Sequence, residues 1–262
     1  MVKYETITVE TNGPIATLCL DRADALNALS EKMRLELISA LRVLRDNRDL
    51  RVLILTGNGR AFCSGADVKE GFISKRGFDL ERMLTEEYNV IISELRGLHI
   101  PTIAAVNGIA AGAGCSLALA CDFILAAESA QFIQVFSRIG ACPDAGSSFF
   151  LPRIVGRQRA LGMMLTNDPI SARTAEEWGI AWKLFPDGSF ADDVQKFAST
   201  VAKQPTRALV FARRLVDASA TSGLEAQMSA EAIGQGVLSK SHDAQEAINA
   251  FIEKRVPDFK GN

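Results

Sequence analysis

The chain has 262 residues, enough for one large domain or for a domain with an appendage. Hydrophobic residues at 48% and charged residues at 23% are ordinary for a soluble globular protein and leave ample material for a core. Lys+Arg 29 against Asp+Glu 31, a net charge of -2, excludes any global attraction to nucleic acid or anionic lipid.

Residues 4–9 and 14–20 alternate or run apolar around Asn12-Gly13-Pro14, which predicts a hairpin. Leu29, Met33, Leu37, Leu41 and Leu44 then recur at three- and four-residue steps, predicting a helix whose first turn Ser30 can cap. Val52-Leu53-Ile54-Leu55 is wholly apolar, the mark of a strand buried on both faces, and Thr56 to Arg60 carries loop chemistry. A polar, glycine-containing stretch runs to about Asp79. A helix is expected from Leu80 to Leu98, followed by strands at 102–106 and 122–126. Strands alternating with helices indicate an α/β architecture. Beyond Phe149 the pattern turns helical: Ser171 to Gly179 has a start and a stop signal, and helices follow near 190–203, 206–219, 223–238 and 242–254. The chain divides on this reading into a core, 1–195, and a helical region, 196–262, that packs on the core or on a neighbouring subunit.

No apolar run approaches the roughly 20 residues of a membrane span. The N-terminal residues have neither the apolar core of a signal peptide nor the arginines of a transit peptide. Five scattered cysteines and two histidines, His99 and His242, argue against a disulfide framework and a zinc site, and the expected compartment is the cytoplasm. Cys63, Cys115, Cys121 and Cys142 are expected to pack as small hydrophobes, Trp178 and Trp182 to lie in the core, and His99 to end a helix.

Three stretches carry possible chemistry. The small residues Ala111-Gly112-Ala113-Gly114 lie between a strand and a helix. They serve either close packing or a backbone cradle in which free N–H groups, with the helix dipole behind them, hold an anion such as an enolate oxygen. Phosphate-loop and dinucleotide fingerprints are absent. Ser64-Gly65-Ala66-Asp67 is either a surface turn or a second donor to the same oxygen. Asp144, between Pro143 and Ala145-Gly146 in apolar sequence, reads as a helix cap or as a general base with a raised pKa. No serine-hydrolase motif accompanies the serines.

These motifs, together with Leu26-Asn27-Ala28-Leu29, Ala61-Phe62-Cys63, Ala104 to Gly108 and the tail Ala250 to Arg255, resemble the crotonase, or enoyl-CoA hydratase/isomerase, superfamily over nearly the whole chain. The resemblance implies a crotonase-like spiral of ββα units with a C-terminal helical region, assembled as a homotrimer or dimer of trimers. It implies an acyl-CoA thioester as ligand, with no cofactor beyond that coenzyme A moiety. By position, Ala66 and Ala113 would supply the oxyanion-hole N–H groups. Arg22, Ala25, Leu26, Ala61, Ala66, Asp67 and Val68 would line the coenzyme A groove, and Phe251 and Lys254 would reach coenzyme A from the last helix, their own or a neighbour's.

Typical hydratases of the family place two glutamates where this chain has Ser116 and Phe136. Asp144 stands where some branches carry a catalytic aspartate. Phe136 to Ser148 and Leu151 to Gly156 are most similar to the ring-epoxide isomerase branch of phenylacetate breakdown. The expected activity is therefore isomerisation of an unsaturated or ring-epoxide acyl-CoA of the 1,2-epoxyphenylacetyl-CoA type, with Asp144 as the single acid/base. The alternatives are an aryl-CoA dehalogenase with a nucleophilic aspartate (whose tryptophan is Phe136 here), a hydratase, or an acyl-CoA-binding protein without catalysis. Phe72, Phe78 and Tyr88 fall in or near a variable region expected to cover the substrate.

Overall fold

In a computed structural model the described residues are 3–71 and 79–262. The chain begins with an antiparallel hairpin, β1 (Ile7–Asn12) and β2 (Ile15–Leu20). Helix α1 (Glu31–Asp46) follows. The Ser30 side chain accepts from the Met33 N–H at 3.2 Å, and Met33, Leu37, Leu41 and Leu44 are buried, as their spacing predicts.

Three units then repeat one plan, a strand in a large sheet followed by a short strand in a small one. They are β3 (Val52–Gly57) with β4 (Ala61–Cys63), β5 (Thr102–Val106) with β6 (Ile109–Ala111), and β7 (Phe123–Ala127) with β8 (Gln131–Ile133). Helices connect them: α2 (Val68–Gly71), then α3 (Leu80–Met83) and α4 (Asn89–Arg96) joined by a π-helical turn at Leu84–Tyr88, and α5 (Ala113–Leu119). After a 3-10 turn at Phe136–Ile139 come α6 (Ser147–Thr166), β9 (Ile170–Ser171), α7 (Ala172–Glu177) and β10 (Lys183–Phe185). The large sheet has the order β1-β2-β3-β5-β7-β10 and is parallel from β2 onward; the small sheet is β4-β6-β8-β9. This is the spiral of ββα units that the family resemblance implies.

The parallel strands are buried on both faces, so their apolar runs are continuous rather than alternating. Leu53, Leu55, Ala104 and Val106 point into the main core with α1 and α4. Val52, Ile54, Ile103 and Ala105 point the other way, against Phe190, Val194 and Ala198 of α8 (Phe190–Ala202). The expected division at 195/196 therefore falls inside a helix that packs on the sheet. Three further helices end the chain: α9 (Thr206–Ser219), α10 (Leu224–Leu238) and α11 (His242–Glu253). Among the described residues, no helix is long and apolar enough to cross a membrane.

Two packing expectations are corrected. Trp182 is 60% exposed, its ring edge-on to Phe123 at the rim of the sheet rather than in the core. Cys142 is exposed on the loop before α6, whereas Cys63, Cys115 and Cys121 are buried.

Candidate active site

Two glycine turns meet at the centre of the spiral. Gly112, between β6 and α5, has φ 52° and ψ -126°, a conformation that a side chain disfavours. Gly65, after β4, has φ +97°. A Cβ on Gly65 would lie 2.8 Å from the Ala111 carbonyl oxygen and 3.5 Å from the Ala113 nitrogen. A Cβ on Gly114 would lie 2.3 Å from the Cys63 carbonyl oxygen. The turns touch because both are stripped of side chains, so close packing and an open backbone coexist here. Among the described residues no acceptor takes the N–H of Ala66 or of Ala113. Ala66 is held from behind by a parallel bridge to Leu29, where the Leu29 N–H donates to Gly65 at 2.8 Å.

Asp144 approaches α5 from the loop before α6. Its carbonyl accepts from the Ser116 hydroxyl at 3.0 Å and from the Ser147 N–H at 3.0 Å. Ala145 (φ 48°) and Gly146 (φ 82°) then turn the chain through the left-handed region into the helix. The residue preceding α6 is Gly146, with no side-chain cap, so Asp144 is not the helix cap that its sequence context also allowed. Its Oδ1 is buried with no hydrogen-bond partner among the described residues. Burial pushes the carboxyl from an ordinary 3.8 up to about 6.

Ser116 and Phe136 stand where the family resemblance places the two glutamates of typical hydratases, and neither carries a carboxyl. The Ser116 hydroxyl is committed to the carbonyls of Gly112 and Asp144, at 3.3 and 3.0 Å. Phe136 is buried with its ring edge over Gly112. Residue spacing gave no sign that Ser116 anchors the Asp144 loop. Nor did it show the buried bridge beneath that loop, in which Ser147 Oγ donates to Gln134 Oε1 at 2.8 Å. Both depend on contacts between segments far apart in sequence.

A cleft of about 570 Å³ beside Ala66 is lined by Arg22, Ala25, Leu26, Ala66, Asp67 and Val68, with Arg60 and Lys69 at its walls. Arg22 Nη1 donates to Asp67 Oδ2 at 2.9 Å and to the Ala28 carbonyl at 2.6 Å, which fixes the left-handed Leu26-Asn27 corner across from the Ala66 turn. Six of the seven residues expected in the groove thus share one cleft. Ala61 does not line it: it is buried in β4, and its carbonyl accepts from Asn27 Nδ2 at 2.8 Å. Phe251, 86% exposed on α11, and Lys254 at the end of that helix are also not among its lining residues. Phe72 and Phe78 lie outside the described residues. Tyr88 is buried at the end of the π-helical turn, and His99 is exposed beyond α4.

Residues 10–262 match the family described as Enoyl-CoA hydratase/isomerase. The chain is 42% identical over 260 residues to a "Probable enoyl-CoA hydratase" of Rhodobacter capsulatus, covering 99% of this chain and 100% of that one. It is 38% identical over 259 residues to the 1,2-epoxyphenylacetyl-CoA isomerase of Escherichia coli K12, covering 98% and 99%. The crystal structure of enoyl-CoA hydratase from Bacillus anthracis superposes with a TM-score of 0.92 at 31% identity, covering 98% of this chain and 100% of that chain.

Proposed function

The chain belongs to the enoyl-CoA hydratase/isomerase family, and from that premise we propose that it is an acyl-CoA isomerase with Asp144 as its single acid/base. The observation that carries this reading is the Asp144 carboxylate, buried, unpaired at Oδ1 among the described residues and shifted to about 6, facing a site without a second carboxylate at 116 or 136.

Coenzyme A lies in the cleft from Arg22 to Val68. The thioester oxygen accepts the N–H groups of Ala66 and Ala113. Asp144 takes a proton from the carbon next to the thioester, and the C–H electron pair moves into an enolate whose oxygen the two N–H groups stabilise. The same carboxyl returns the proton two carbons further along the conjugated system, and the thioester carbonyl reforms with the double bond shifted. A carboxyl near 6 suits both half-steps, being ionised often enough to abstract and acidic enough to return the proton. The enolate is held by backbone dipoles, so this reading assigns no cofactor beyond the coenzyme A moiety of the substrate. Hydration needs one group to activate water and another to protonate carbon, and the second has no candidate at Ser116 or Phe136. Similarity to the E. coli protein points to ring-bearing acyl groups of the 1,2-epoxyphenylacetyl-CoA type.

Mass spectrometry of wild type and Asp144→Ala with aliphatic enoyl-CoA and ring-epoxide CoA thioesters tests this. We expect products of unchanged mass from wild type and a loss of about 10³-fold or more in the variant. A product heavier by one water would replace isomerisation by hydration, the activity in the name of the R. capsulatus relative. Oxygen-18 incorporated into Asp144 in a single turnover in heavy-oxygen water would make it the nucleophile of a dehalogenase-type reaction instead.

A further inference from the structure

Tyr88 is 2% exposed, and its hydroxyl is buried with no hydrogen-bond partner among the described residues. An unpaired buried hydroxyl is destabilising, and a phenylalanine would fill the same space without that cost. The residue is tied to the oxyanion frame through Arg34. That guanidinium lies over the Tyr88 ring at 5.1 Å from its centroid, pairs with Glu87 at 2.6 Å, and donates to the Leu29 carbonyl at 2.7 Å. Leu29 is the residue that bridges Ala66. Burial keeps the hydroxyl protonated against the opposing pull of Arg34, and the charge of Asp144 reinforces the effect of burial. The phenol oxygen therefore has the Arg34 guanidinium beside it as a donor, and among the described residues its proton has no acceptor. Tyr88 also closes a π-helical turn, a local distortion common where a helix serves a site.

We propose that the Tyr88 hydroxyl is a specificity-determining donor to an oxygen atom carried by the acyl group, so that the site favours acyl-CoA thioesters with a ring ether or epoxide oxygen near the carbons facing Asp144. This rests on the placement of the acyl group beside Asp144 proposed above, and it involves no bond making or breaking.

The test uses two saturated, unreactive ligands that differ by one ring atom, cyclohexylacetyl-CoA and tetrahydropyran-3-yl-acetyl-CoA, titrated calorimetrically into wild type and Tyr88→Phe. Because neither ligand turns over, the result is independent of whether Asp144 shifts double bonds, and failure of the isomerase reading stays distinguishable. The expected result is that the preference for the ring-ether ligand falls roughly three- to tenfold in Y88F while affinity for the all-carbon ligand is unchanged. The melting temperature of the free variant should be equal to or above that of wild type. An unchanged preference overturns the proposal. So does a clear loss of melting temperature, which would show that the hydroxyl already has a partner within the protein.

Discussion

At the scale of the residue, Asp144 holds its position through its backbone and leaves its carboxyl free. Ser116 and Ser147 take up the carbonyl, and Oδ1 is left buried without a partner among the described residues. Its folded-state value, about 6, lies above the ordinary 3.8. Ionisation therefore costs the folded state nothing below the unfolded value, and the cost grows as pH rises through the folded one. Above that window the burden is about 1 to 3 kcal/mol. Asp144→Asn should remove it. The variant should melt higher than wild type at pH 8, converge with it near pH 4, and lack the isomerase activity proposed for the wild type. Thermal melts across that range check this, and equal melting curves at pH 8 would show that the carboxylate is solvated. In wild type, kcat/KM should rise with an apparent pKa near 6. The sequence offered the aspartate in apolar surroundings, but cap and base were equal readings there. Only the position of the helix start, at Ser147 rather than Ala145, separates them.

At the scale of the element, the proposed donors Ala66 and Ala113 follow strand-to-helix turns whose geometry requires glycine. Gly112 at φ 52° and ψ -126° is followed directly by Ala113, and its own N–H is fixed on the Ile133 carbonyl at 2.9 Å. A Cβ there would meet Val135 Cγ2 at 3.2 Å in addition to the backbone strain. Gly112→Ala should cost about 1–3 kcal/mol of stability. By turning the Ala113 N–H, it should lower kcat by at least about tenfold with KM little changed. Steady-state kinetics beside a thermal melt check this, and a fall in stability with kcat intact would detach the turn from the chemistry. The glycine run was readable because small residues between a strand and a helix have few uses. The small sheet was not readable from periodicity: β4, β6 and β8 are three residues each, too short for any alternation to register. The π-helical turn left no mark either, since its residues continue a helical pattern and its widening depends on what packs against it. The helix pattern over 80–98 accordingly predicted one uninterrupted element.

At the scale of the molecule, the core and the C-terminal helices differ in how well each covers its own apolar residues. In α1 the apolar stripe is buried against the sheet, whereas α10 buries only Gly234 while Leu224 is 74% and Ile233 68% exposed. On α11, Phe251 and Ile252 are 86% and 71% exposed. Scattered apolar residues on a surface are normal, but adjacent helices that leave this much uncovered mark a contact face. Symmetric association of identical chains is the simplest way to cover it, and the family resemblance implies threefold symmetry. Light scattering on the purified protein should give the mass of three or six 28.3 kDa chains. The double variant Leu224→Lys, Ile233→Lys should shift it toward one chain. Each lysine would have to be desolvated in the contact, whereas in the single chain both positions already face water. If α11 of a neighbour carries Phe251 and Lys254 to the cleft that they do not line in the single chain, the variant should also raise KM for acyl-CoA while leaving melting of the core unchanged. Wild type that remains a single chain at micromolar concentration, or a variant that assembles like wild type, would leave the helical face to some other role.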